Sequence, residues 1–285
     1  RHQGDVATPS GALFNSGLSM VGGSGALGMR GDWGSVTATV SHRAERLEIH
    51  EDPAEDPTAS PFQRIGSTRL AVNGNLATSG GGRLDIDLGG EVNRRREFEA
   101  RGSSDVALGL RSTTGTANMH LHQVVGGVAT VLGVAAMHTA FEKSGEETLV
   151  PNNSAGTVGV YGFGQVDRGR WQFSGGARYD YRRLTNEADA ALALDAGTRD
   201  YSSVTGNLGA LYRVSEPIVL VANVGRGFRA PSPFELFSNG VHEGTVRFER
   251  GNAALANETS LNVDLALRVQ SSAVQGELGV FRNAI

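Results

Sequence analysis

The chain contains no cysteine, which removes disulfide staples and thiolate metal sites from consideration. It has no basic excess either. Its 26 Lys and Arg stand against 30 Asp and Glu, with no basic stripe, so nothing is arranged to grip a nucleic-acid backbone. No apolar run approaches the roughly 18 residues of a membrane helix. Neither a Gly-x-Ser-x-Gly elbow nor a His-Glu-x-x-His helix occurs, so hydrolase and zinc-protease chemistry have no anchor, and neither an enzyme nor a cofactor is expected. Aromatic residues are scarce at 6%, so in any lipid-facing structure Leu, Val and Ala must make most of the contact.

What is present is alternation. Leu261, Val263, Leu265, Leu267 and Val269 alternate with Ser260, Asn262, Asp264, Arg268 and Gln270, which is a strand with one apolar and one polar face. Trp171, Phe173, Gly175, Ala177, Tyr179 and Tyr181 oppose Gln172, Ser174, Gly176, Arg178, Asp180 and Arg182 in the same way. So do Leu84, Ile86, Leu88, Gly90 and Val92 against Arg83, Asp85, Asp87, Glu91 and Asn93. The segment from Val128 to Phe141 is apolar on both faces, and its lipid side stays open at this point.

Short breaks fall at Ser79–Gly82, Val125–Gly127, Asp167–Gly169, Ser215–Pro217 and Ser271–Ser272. Longer polar connections lie between them, at Glu51–Pro61, Phe98–Asp105, Glu142–Asn153, Thr185–Asp200 and Arg229–Glu258. This rhythm predicts an all-β chain forming a transmembrane antiparallel up-and-down β-barrel, with short turns on the periplasmic rim and long loops outside. About twelve strands are expected over residues 1–285, read as one partial barrel domain. Outer-membrane lipid and lipopolysaccharide are the surroundings such a barrel implies. Arg1 is not an initiator Met and the final residues run out of a strand, so a longer parent chain is expected.

Several local signals carry more than one reading. Gly23-Ser-Gly25-Ala-Leu-Gly28 fits the dinucleotide glycine pattern, but the following Met29-Arg-Gly-Asp-Trp-Gly34 is no helix, which favours a glycine-rich turn. His120 and His122 share a strand face, expected to be the lumen, and are candidate metal ligands or a hydrated polar pair; His138 is expected to pair near Thr113. His242, Glu243, Arg247 and Glu249 lie in the longest connection and are candidate ligand-binding residues, with His242 also a candidate metal ligand. Arg94, Arg95 and Arg96 suit either an anionic chelate or lipopolysaccharide phosphates.

A denser signal lies at Gly225-Arg-Gly-Phe-Arg-Ala-Pro-Ser-Pro-Phe-Glu-Leu-Phe-Ser-Asn-Gly240, followed by Gly251-Asn252, Leu255 and Glu258-Thr-Ser-Leu-Asn-Val-Asp-Leu265. Pro231 and Pro233 end a strand, Gly251-Asn252 suits a turn of positive φ, and Glu258 begins the next alternation. The stretch resembles the barrel of TonB-dependent outer-membrane receptors, nearest the zinc- and iron-related branch. That resemblance implies a barrel of some 22 strands around a plug that this chain does not contain, energised through the plug by the TonB complex. It also implies import of a scarce ligand, a metal ion or iron chelate (siderophore). A passive porin-like or structural outer-membrane barrel is the alternative.

Overall fold

The computed structural model describes residues 2–51, 60–145, 149–242 and 247–285; the side chains of Val241, His242 and Arg247 are outside that description. Three short strands open the chain: β1 (His2–Gln3), β2 (Val6–Thr8) and β3 (Gly11–Leu13). Then come β4 (Leu18–Gly31), β5 (Gly34–Glu48), β6 (Phe62–Ala77), β7 (Arg83–Phe98), β8 (Leu108–Val125), β9 (Val128–Gly145), β10 (Asn153–Arg168), β11 (Trp171–Asn186), β12 (Gly197–Ser215) and β13 (Ile218–Arg229). A short helix α1 (Pro233–Phe237) and a hairpin of β14 (Asn239–His242) and β15 (Arg247–Arg250) precede β16 (Glu258–Gln270) and β17 (Gln275–Ala284).

The sheet has 13 strands in the order β1-β4-β5-β6-β7-β8-β9-β10-β11-β12-β13-β16-β17. Each long strand pairs antiparallel with its neighbour in sequence, apart from the detour through α1, β14 and β15. This is the expected up-and-down β-barrel wall, with β1 and β17 as its edges and no closure between them. Leaving aside the two-residue β1, twelve long strands remain, as the alternation predicts. Among the described residues no helix is long and apolar enough to cross a membrane, which says nothing about strands.

All five short breaks are tight turns. Gly126 and Gly127 join β8 to β9 with φ of 58° and 79°, the doubly left-handed geometry that a two-residue hairpin of matching twist requires. A sixth turn, Asp32–Trp33, was not signalled by a polar break and joins β4 to β5. The glycines from Gly23 to Gly28 form no turn: they lie inside β4, paired throughout with β5, and neither turn nor nucleotide loop survives there.

Direct cross-strand partners share a face, so the register settles which face each residue is on. One row runs Arg30, Ser35, Asn75, Asp85, His120, Gly133, Tyr161, Arg178, Thr205. This polar face carries internal ion pairs, such as Arg69 with Glu91 at 2.6 Å and Arg268 with Glu277 at 2.6 Å. The other face is apolar and bare: Leu132, Val160 and Leu265 are each about half exposed. A soluble sheet would cover such side chains, whereas lipid solvates them while the lumen accepts the charges. The register also assigns β9, whose Leu132, Val134, Ala136 and His138 face lipid. His138 pairs with Gly115, two residues from the expected Thr113, and lies on the opposite face from His120 and His122.

Aromatics follow the rims in part. Trp171 packs on Phe173 and Tyr212, at ring separations of 5.5 and 4.6 Å, beside the turns that follow β10 and β12 on the lipid face. Tyr201 of β12 is buried on the lumenal side rather than exposed to lipid.

Candidate functional site at the barrel mouth

The longest connection, 230–257, begins where Pro231 cannot donate to the β13–β16 ladder. Ser232 and Glu235 then form a capping box, each side chain accepting from the other's backbone N–H, with Pro233 in the first turn where its missing donor costs nothing. Arg229 ties this helix to the wall, donating to Glu235 at 2.7 and 2.8 Å and to Glu258 at 2.9 Å. Those bonds from Arg229, then the Ser232 backbone N–H, hold the Glu235 carboxyl down at about 2. A capping-box signal, Ser-x-x-Glu, was present in the sequence and marks this helix.

α1 turns inward. Leu236 and Phe237 are each 2% exposed and form a cluster with Ala155, Leu184 and Tyr201, which all lie on the lumenal face of β10, β11 and β12. Phe234 meets Phe141 of β9 edge-on at 6.3 Å, on the same face. The neighbouring connections join in: Asn239 donates to Leu192 O at 3.0 Å and to Leu149 O at 3.3 Å. Arg199 of β12 donates to Ala253 O at 3.1 Å and lies 4.8 Å from the Phe237 ring centre. Three external connections are thus fastened together over the mouth of the wall.

Gly251 is part of that fastening. It has no positive φ, contrary to the expected turn; a Cβ there would come within 2.6 Å of the Leu236 backbone carbon and 2.7 Å of the Phe237 nitrogen. Glycine is needed because two backbones touch, and Gly251 and Asn252 donate to Ser238 O and Glu235 O at 2.6 and 2.8 Å. The Asn252 side chain accepts from Ala254 N at 2.9 Å and closes the turn that leads on to β16.

The β14–β15 hairpin rises from this platform. Its register pairs His242 with Arg247 and Gly240 with Glu249, which brings three of the four candidate ligand-binding positions together on one short ribbon. Glu243 lies outside the described residues.

His120 and His122 sit far from it, toward the periplasmic end of β8, so the structure does not bring the candidate metal residues His120, His122 and His242 into one place. His122 Nε2 is 3.0 Å from Asp85 and His120 Nε2 3.8 Å from Asp87. Tyr161 lies across Gly133 and its hydroxyl meets His120 Nδ1 at 2.6 Å, so both nitrogens of that ring already face partners. Among the described residues, no three His, Asp or Glu side chains are grouped to hold a metal ion. The pair belongs to a polar lumenal network that continues through Arg178 and Asp180, paired at 2.6 Å.

Residues 13–285 match the family model described as TonB dependent receptor-like, beta-barrel. Among solved structures, the copper transporter OprC superposes with a TM-score of 0.79 at 14% identity, over 99% of this chain and 47% of that one. The hemophore receptor HasR of Serratia marcescens, in complex with hemophore HasA and heme, gives 0.75 at 15% over 99% and 49%. The ferric yersiniabactin uptake receptor FyuA of Yersinia pestis gives 0.69 at 14% over 99% and 48%. The chain spans about half the length of these structures, and its wall, turns and mouth are those of a half-barrel: it belongs to the family of TonB-dependent receptor β-barrels.

Proposed function

We propose that the full-length protein is an energy-coupled importer of a metal ion or metal chelate, with the β14–β15 hairpin taking part in capture. As a TonB-dependent receptor barrel the chain is an outer-membrane protein, and its family transports rather than catalyses. The observation that carries the proposal is the inward fold of connection 230–257, whose Leu236 and Phe237 anchor a hairpin bearing His242, Arg247 and Glu249 at the mouth. Imidazole and carboxylate suit zinc or iron, and an arginine suits the anionic groups of a chelate. Relatives described as a copper transporter, a ferric yersiniabactin receptor and a hemophore receptor support the substrate class. His120 and His122, lower on the lumenal face, are assigned to the wall of the passage rather than to capture. Coupling runs through a plug and the TonB complex.

The test is uptake of radioactive zinc, ferric iron or ferric siderophore by metal-starved cells carrying the full-length receptor. Removing a side chain that coordinates the metal directly costs about tenfold or more in affinity, so His242→Ala with Glu243→Ala should raise the half-saturating concentration by that factor at unchanged barrel insertion. Unchanged uptake removes the hairpin from the site. Uptake that persists without TonB energisation would indicate a passive barrel.

A further inference from the structure

The Arg94-Arg95-Arg96 triplet is split by the strand it lies on. Arg95 faces the lumen and lies 3.6 Å from Glu97. Arg94 and Arg96 continue the row Leu84, Ile86, Leu88, Gly90, Val92 and so emerge on the lipid side, both exposed. That apolar stretch of about nine residues matches the 9–11 that a tilted strand needs to cross hydrocarbon, so the two arginines stand where the outer leaflet's headgroups begin.

They are not alone. Arg96 is the direct cross-strand partner of Arg64, and Arg64 of Arg46, so three guanidinium side chains stand in line across β5, β6 and β7. Arg94 lies one step below and is directly partnered by Arg111. Like charges directly opposite on a sheet face are destabilising. Two carboxylates offset part of this: Glu48 lies 4.0 Å from Arg46 and 2.9 Å from Arg101, and Glu142 lies 3.2 Å from Arg111. Among the described residues no carboxylate reaches ion-pair distance of Arg64, Arg94 or Arg96. The stacked rings of Phe62 and Phe98, 4.6 Å apart, instead support Arg46 at 3.7 Å and Arg64 at 5.4 and 5.2 Å, holding the guanidinium planes at the rim. Between them opens a groove of about 510 Å³ lined on this side by His42, Ala44, Arg46, Arg64, Arg94 and Arg96.

We propose that Arg46, Arg64, Arg94 and Arg96 form a binding site for the phosphate groups of the phosphorylated glycolipid of the outer leaflet, lipopolysaccharide. Guanidinium forks bind phosphate bidentately, and a row of them lying above an apolar band matches a ligand with phosphates on top and acyl chains beneath. An anionic cargo for import would have to meet the other face, to which Arg95 alone of the triplet points, already beside Glu97. The acidic connection carrying Glu51, Asp52, Glu55 and Asp56 is the competing occupant, and the experiment separates it.

The full-length receptor is purified in mild detergent and placed in nanodiscs containing bisphosphorylated lipid A, monophosphorylated lipid A or phosphatidylglycerol, and retained lipid is counted by native mass spectrometry. The wild type should retain bisphosphorylated lipid A at least tenfold better than phosphatidylglycerol, with the monophosphorylated form between. Arg64→Gln with Arg96→Gln should lose about tenfold of that retention, while Arg95→Gln should lose none. Heat-modifiable gel mobility confirms that each variant barrel is folded. Retention unchanged in the double variant, equal loss in Arg95→Gln, or a tenfold preference that emerges only when the four acidic residues are neutralised would overturn the proposal. So would equal retention of phosphatidylglycerol, or displacement by millimolar inorganic phosphate, because either would mean a nonspecific anion surface.

Discussion

Replacing Phe237 with alanine tests whether the long connection is a fastened platform or a loose strap. Phe237 is 2% exposed and packs with Leu236, Leu184 and Tyr201 beneath the base of the β14–β15 hairpin. Truncating a buried phenylalanine costs about 3–5 kcal/mol, through lost transfer energy and the cavity left behind. That loss falls on the connection rather than the wall, since α1 adds no strand to the β13–β16 ladder. At 1.4 kcal/mol per tenfold, the connection should open roughly 10²- to 4 × 10³-fold more often. The amides of Gly251 and Asn252, which donate across the platform at 2.6 and 2.8 Å, are the reporters for hydrogen exchange on the full-length receptor. Their protection should fall by that factor while amides of β11 keep theirs. Protection unchanged at Gly251 and Asn252 would refute the packing account, and equal loss throughout β11 would show that the platform is not a separable unit.

Two further outcomes follow from the same platform. Gly251→Ala should displace α1, because its Cβ meets backbone that can move only with the helix, at a cost of about 1–3 kcal/mol. Gly90→Ala, with nothing within 4 Å, should leave protease resistance of the connection as it was. Acid should also loosen the connection. The Glu235 carboxyl sits at about 2 in the folded state against an ordinary 4.5, so its contribution is complete above 4.5 and is lost as pH falls through about 2. Proteolysis by pepsin across that window should accelerate more steeply in the wild type than in Glu235→Gln; a connection that loosens as pH rises would contradict the sign.

Much of the wall was legible because its physics is local. A strand between lipid and lumen must alternate, and residues 260–270 or 171–182 alternate with little else to confuse them. The same locality explains what stayed open and what was misread. β9 is apolar on both faces because its lumenal side carries Val131, Gly133, Ala135 and Met137, and only the partners across β8 and β10 tell the sides apart. Gly23 to Gly28 looked like a loop because glycine content signals backbone freedom, but pairing along all of β5 overrides it. The hairpin positions of His242, Arg247 and Glu249 were named from residue type and loop length. Nothing in the local pattern disclosed that α1 turns inward, because the pocket for Leu236 and Phe237 is assembled from three strands distant in sequence. The arginine triplet was conspicuous, yet its meaning depended on a register that assigns neighbouring residues to opposite faces of the barrel wall, lumen and lipid.

Cysteine labelling separates lipid-facing from lumen-facing residues, and these 285 residues contain no native cysteine to interfere. Single cysteines at Val263 and Asp264 of the full-length receptor, reconstituted in lipid, are carried as nitroxide spin labels and exposed in turn to a water-borne and a lipid-borne relaxant. Val263→Cys should respond to the lipid-borne relaxant and Asp264→Cys to the water-borne one. The reverse pattern would place charge in hydrocarbon and contradict the barrel wall as described.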